Sequence, residues 1–476
     1  MFQIPVRASV LVIALSAAQA QTVEVVRPGG GLSFPDIQQA VDAAADGDSL
    51  LVTEGSYGPF TVDAKSLSIF AVPGAHVEVG ETVVVKNLAA HQRVVLSGLV
   101  VETPATGAAR SAVRLIDNEG PVRLQDCWLG QDHWWQGALG WDCSLGSPPD
   151  AQPAVVASNC RRLALVDCEL FGNPGEWADS YWAFCDAGAG GAGLEVVASD
   201  VALYGCTVVG GIGGSTTYSG TGTGGPGVVA ADSTIFASGG SVRGGAGGID
   251  WIGGPSGPGG DGAQLSARSE LTALDCPVQA AHSGSPPGQA VTGAGRFVPM
   301  DGSARTVAAA TVAPSDVALQ VSYSGVLGDL VWLPTSSMTG HRVLLGLHGV
   351  WLTRFPAIPP FLPHGRVGAT GGLVVPLDLP RIPAGGSHAM FTVQGLSVGP
   401  PFSSIIGALG LPGPLPDRTP LGLWLDRRLA SARHVLALDP AQGPDCNANG
   451  VSDYLDVILG TSLDTNHDLR PDECGR

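Results

Sequence analysis

Hydrophobic positions recur along the first half of the chain in short alternating groups that stop at glycines. Residues 193–211, GLEVVASDVALYGCTVVGG, are the clearest instance, with two short apolar segments split by Ser199-Asp200 and a third that follows Gly205. Alternation places Val201 and Leu203 on one face, and Cys206 and Val208 continue that face beyond the bend. The same pattern recurs in residues 111–130, 153–172, 227–245 and 262–279, and more weakly in residues 62–80 and 83–102. A unit of this size predicts three strands and three turns. It cannot bury its own apolar face, so stacking on neighbouring copies must supply the core.

This cadence resembles the right-handed parallel β-helix of the pectate-lyase-like family, and the resemblance covers roughly residues 23–279. It implies an all-β fold, and a history of handling polysaccharide. Residues 33–47 carry Ile37, Ala40, Val41 and Ala44 at helical spacing, with Ser33 or Asp36 as N-cap. They resemble the helix that plugs the N-terminal end of many β-helices.

The expected domain organisation is a signal peptide over 1–20, the β-helix over 21–280, a linker over 281–295, a small β-sandwich-like domain over 296–443 and a short tail over 444–476. Residues 281–295, AHSGSPPGQAVTGAG, have linker composition, and residues 296–439 read as short β segments broken by Pro and Gly. The first twenty residues join Arg7, an apolar run and Ala18-Gln19-Ala20, the pattern of a secretory leader. The apolar run is too short to span a bilayer, so the expectation is a secreted, extracellular or cell-surface protein with no membrane span.

Charge narrows the partners. A net charge of −18 with few cations disfavours nucleic acid and anionic membranes. The 69 glycines suit a fold of many tight turns. Nine cysteines in an oxidising compartment leave at least one without an intramolecular partner.

Insertions at one point of the repeat, residues 131–152, 173–192, 212–226 and 246–261, are predicted to project from one flank and to become neighbours. They gather Trp134, Trp135, Trp141, Trp177, Tyr181 and Trp182 among carboxylates. Aromatic rings beside hydrogen-bonding acids suit the apolar faces and hydroxyl rims of sugars, although the same rings serve equally as local mini-cores. Cys143 and Cys185 lie in adjacent insertions and are candidates for a bridge. Asp126 and Asp167 should stand one rung apart, a spacing open to a retaining glycosidase pair or to a polar turn ladder. Cys127, Cys168, Cys206 and Cys276 share one rung position, as inert interior thiols would.

The tail reads DCNANGVSDYLD, placing Asp445, Asn447, Asn449, Gly450, Val451, Asp453 and Asp456 at positions 1, 3, 5, 6, 7, 9 and 12 of an EF-hand-like loop. It resembles the Ca²⁺ loops of dockerins and of thrombospondin type 3 repeats, which implies Ca²⁺ and a cell-surface or cohesin-like partner. A second loop carries Asp464, Asn466, Asp468 and Asp472, with Leu469 where Gly is usual. Cys446 and Cys474 flank both loops and could close them. Together these residues predict a secreted protein that binds an extracellular polysaccharide and leave open whether it also cleaves it. The alternative is a non-catalytic surface or matrix protein with a calcium-stabilised attachment tail.

Overall fold

The computed structural model describes residues 23–26, 34–103, 110–131, 148–178, 185–216, 220–251, 254, 256–336, 339–343, 350–353, 363–378, 382, 388–398, 427–441, 443–458, 460–466 and 469–475. Three parallel sheets of ten, eight and eight strands form a parallel β-helix. The chain visits them in rotation. Strand Ser49–Val52 lies in the first sheet, Gly55–Tyr57 in the second, Thr61–Asp63 in the third, and Leu67–Ala71 returns to the first.

The alternation seen in the sequence is what holds the stack together. Leu163 and Leu165 pair with Val201 and Leu203 of the next rung, Leu170 pairs with Val208, and Leu194 and Val196 pair with Val228 and Ala230. All of these residues belong to one continuous interior cluster and are at most 2% exposed. Burying each such side chain contributes roughly 1.5–3 kcal/mol, and the stacked rungs supply that burial to one another. The helix Ile37–Ala43 starts at Asp36, whose carboxylate accepts the Gln38 N–H, and turns Ile37, Ala40 and Val41 into the same cluster.

Turn residues are stacked too. Asp126, Asp167 and Asp275 all adopt positive φ, between 49° and 51°, at the turn leaving the first sheet, where other rungs use Gly98 and Gly205. Aspartate is one of the few side chains that tolerates this left-handed conformation. A second ladder follows the third sheet, where Asn159 Nδ2 donates to Asp117 Oδ1 of the preceding rung at 2.7 Å.

The β-helix runs further than its cadence. Val278–Gln279, Val291–Gly293 and Arg296–Met300 form a last rung on the second, third and first sheets. Residues 281–295, expected as a linker, therefore carry a strand and an insertion of the helix itself. Its outward residues Gln279 and Arg296 are exposed polar groups, which erased the apolar pattern.

Beyond Met300 two sheets pack face to face. One has the strand order Thr306–Ala308, Leu319–Ser324, Gly372–Leu377; the other is centred on the antiparallel pair His388–Val398 and Arg427–Leu438. Val321, Tyr323 and Val375 of the first meet Phe391, Val393 and Val435 of the second in a common core. The second sheet also includes one parallel pair, Val312–Pro314 beside Arg427–Leu438, among strands that otherwise pair antiparallel.

This sandwich sits on the outer face of the first β-helix sheet. Leu51, Phe70 and Val95 pack with Met390, Leu436 and Leu438, and further along Ala164, Val166 and Tyr204 pack with Val350, Leu352 and Ala432. Strand Arg427–Leu438 thus crosses successive rungs. The tail joins the same cover, with Tyr454, Leu455 and Leu469 in the cluster that contains Leu51 and Phe70.

Candidate functional site

Asp126 and Asp167 stand in the same turn of successive rungs, as expected. Between them lies Arg433, brought from the sandwich. Its Nη1 donates to Asp126 Oδ1 and Oδ2 at 2.6 and 2.5 Å, and its Nη2 donates to Asp167 Oδ2 at 2.5 Å. Arg433 is 10% exposed, so this is a semi-enclosed, charge-assisted bridge. Burial raises the pKa of Asp167 above the usual carboxylate range, and Arg433 opposes that shift. The pair's geometry is that of a clamp between two parts of the chain. Arg123, in the strand that leads to Asp126, is 1% exposed beneath the sandwich and donates to the Val122 and Arg162 carbonyls.

The insertions between the second and third sheets do become neighbours, but their backbone is of a kind the sequence reading missed. Outgoing segments bond to one another every third residue: Gly172 N–H donates to Val209 O, Gly175 to Ile212 O and Ala178 to Ser215 O, and the next pair repeats this at Gly210, Gly213 and Thr216. Returning segments do likewise at Ala187, Gly190 and Gly193. Antiparallel bonds tie outgoing to returning segments, as in Gly211 to Gly191 and Gly214 to Gly188. A three-residue period with every bond directed sideways is that of polyproline II threads, which make no internal hydrogen bonds.

Glycine is required because the threads nearly touch. A Cβ on Gly211 would stand 1.9 Å from Asn173 O, and one on Gly225 2.0 Å from Gly191 O. The signal was present as GGIGG at 210–214, GGAGG at 244–248, and GTGGPG and GPGGDG on the return. The third residue of each triplet faces outward, so Pro174, Ile212 and Ala246 form a row along the flank.

That row and the outer edge of the second sheet enclose a groove of about 240 Å³. Phe171, Val209 and Arg243 line one side, Pro174, Ile212 and Ala246 the other, and His282 closes one end. Among the described residues its lining includes no carboxylate. Trp128 lies 5.5 Å from Phe171 between ring centroids, and at the far end of the threads Trp177 meets Trp251 at 6.0 Å. Trp251 is 53% exposed. Glu176, beside Trp177 in the chain, has its pKa raised by burial. Of the sugar-facing residues expected from the sequence, Trp177 is in the described part, while Trp134, Trp135, Trp141, Tyr181 and Trp182 lie outside it. Cys185 is disulfide-bonded; its expected partner, Cys143, is outside the described residues. Cys127, Cys168, Cys206 and Cys276 are buried free thiols, as is Cys160.

In the tail, Cys446 and Cys474 form a disulfide. Asp445 Oδ2 accepts the Gly450 N–H at 2.9 Å, and Asp464 Oδ2 accepts the Leu469 N–H at 2.8 Å. Asp456 is 1% exposed. Around its carboxylate gather the side-chain amides of Asn447 at 3.2 Å and Asn449 at 2.8 Å, together with Thr461 Oγ1 at 2.8 Å. Turning either amide by 180° replaces its nitrogen with an oxygen, so the same side chains can offer oxygens to a cation. Asp453 faces elsewhere, accepting the Cys446 N–H. It lies within 4.8 Å of both cysteine sulfurs, which the disulfide removes as thiolate ligands. In the second loop Asp472 accepts from Thr465 N–H and Oγ1. Asp468 is outside the described residues.

Compared with protein-family models, with curated proteins and with solved structures, the chain matches none. Among the described residues no helix is long and apolar enough to cross a membrane.

Proposed function

We propose that the protein is a secreted, non-catalytic scaffold of the pectate-lyase-like β-helix type that holds an extended polysaccharide in the flank groove. The carrying observation is the groove itself, in which a row of apolar side chains from rigid threads faces Phe171, Val209 and Arg243. Sugar rings present C–H faces that pack on Phe171, Pro174 and Ile212, and hydroxyls that accept from the Arg243 guanidinium. An acid and a base flanking a bond are needed for hydrolysis or elimination, and among the described residues the groove lining offers no carboxylate for either role. The Asp126 and Asp167 carboxylates are engaged by Arg433.

Ca²⁺ fits the first tail loop in this reading. Asp445, Asn447, Asn449, the Val451 carbonyl and Asp456 would hold it, a set of hard oxygens around a buried carboxylate that otherwise meets only neutral groups among the described residues. The ion would supply the charge that Asp456 lacks as a partner. Since Tyr454, Leu455 and Leu469 are buried against the β-helix and sandwich, the tail acts as an internal strut.

The test is a panel of uronate and neutral polysaccharides, reading binding by calorimetry alongside reducing ends and unsaturated products. Binding without product, weakened at least roughly tenfold in Phe171→Ala with Arg243→Ala, is expected. Product release, or no binding to any member, would overturn the proposal.

A further inference from the structure

The sandwich is fastened to the β-helix by an unusual layer of buried polar groups. His434, 0% exposed, lies between them: its N–H donates to Gln125 Oε1 at 2.9 Å, its carbonyl accepts from Gln125 Nε2 at 3.4 Å, and its ring Nδ1 contacts Thr392 Oγ1 at 2.9 Å. Among the described residues its buried Nε2 has no hydrogen-bond partner. Arg93 and Arg123 face it from the β-helix, and Arg433 from its own strand. His388, 3% exposed at the open end of the same strand pair, where it lies opposite Leu438, contacts Ser49 Oγ at 3.0 Å and faces Asp48 and Arg93. Asp126 and Asp167 are already committed to Arg433, and Asp48, the one carboxylate facing His388 among the described residues, accepts the Ala45 N–H. A proton on His434 would therefore add a positive charge among three arginines, in a site that offers no acceptor for the new N–H among the described residues.

We infer that mild acid releases the sandwich from the outer face of the first β-helix sheet, with His434 and His388 as the sensing groups, and so bares Asp126 and Asp167. Burial, and for His434 the neighbouring arginines, hold both histidines below their ordinary range, His388 at about 4. The released state takes up protons near the ordinary histidine value of about 6.5. The docked state is thus fully favoured above about pH 6.5 and loses ground as pH falls from there toward 4. Each histidine costs roughly a tenfold factor in the docked-to-released ratio per pH unit. Among the described residues the apolar cluster of the β-helix interior includes no histidine.

Small-angle scattering and far-UV dichroism of the full chain, followed from about pH 7.5 to about pH 4.5, test this. The radius of gyration should rise while the strand signal holds. His434→Gln, whose amide cannot titrate here, should lower the midpoint and reduce the steepness by about one proton. Should that variant fail to fold, His388→Gln should shift the midpoint in the same direction by less. Unchanged dimensions down to pH 4.5, loss of strand signal in the same transition, or variants that titrate like the parent would each overturn the inference.

Discussion

Arg433 Nη1 reaches both carboxylate oxygens of Asp126 from a point 307 residues further along the chain. This contact, with its companion to Asp167, converts a stack of turn aspartates into an anchor for a separate layer. Replacing Arg433 with Gln leaves two carboxylates one rung apart with no facing cation. With that cation gone, nothing offsets the burial that raises the pKa of Asp167, so the loss of stability is largest at neutral pH, where its carboxylate is charged, and shrinks as pH falls through the raised value. Urea denaturation should show a larger deficit relative to the parent, on the order of 2–4 kcal/mol, at pH 7 than at pH 4.

Leu203 is 1% exposed in the rung interior, between Leu165 and Ala237 of adjacent rungs. Leu203→Asp should lower stability by more than about 4 kcal/mol, because a buried unpaired charge is among the most damaging substitutions. The measurement is melting followed by far-UV dichroism. An unchanged melting temperature would place Leu203 outside the core.

Gly211→Ala puts a methyl group against Asn173 O. The threads must part, at a cost of roughly 1–3 kcal/mol, and polysaccharide binding should fall with them. Ile212→Ser, one residue on and facing the groove, should leave the melting temperature nearly unaltered while weakening binding, which separates contact from framework.

Calcium should raise the melting temperature of the full chain, by an amount equivalent to about 2.7 kcal/mol when the ion is at a hundred times its dissociation constant. Asp456→Ala should remove the rise. The corresponding change at Asp464 should remove less of it, since Leu469 takes a positive φ of 58° at the place where Gly450 relaxes at 87°.

Residue patterns show why some of this was legible and some was not. The pairs Val201 with Leu203 and Cys206 with Val208 follow a two-residue period, so the inward face, the rung length and the common position of the insertions could all be read. The threads follow a three-residue period that neither the helix nor the strand template matches, so GGIGG and GGAGG read as loop. Asp126 and Asp167 were correctly placed one above the other, yet their partner is a distant arginine in a β segment with no local mark. Tyr454 and Leu455 announce a short helix. That they lie on the β-helix depends on Leu51 and Phe70, which look like ordinary strand residues.

The glycine threads also set a rule for how this flank can change over time. Because bonds between them recur at every third residue, an insertion keeps its place only if it grows or shrinks by a whole triplet outward and another on the way back. Other lengths would turn a side chain into the position where Gly211 or Gly225 admits none. The platform can be widened or trimmed in steps, like courses of brick, while the rungs beneath it stay as they are.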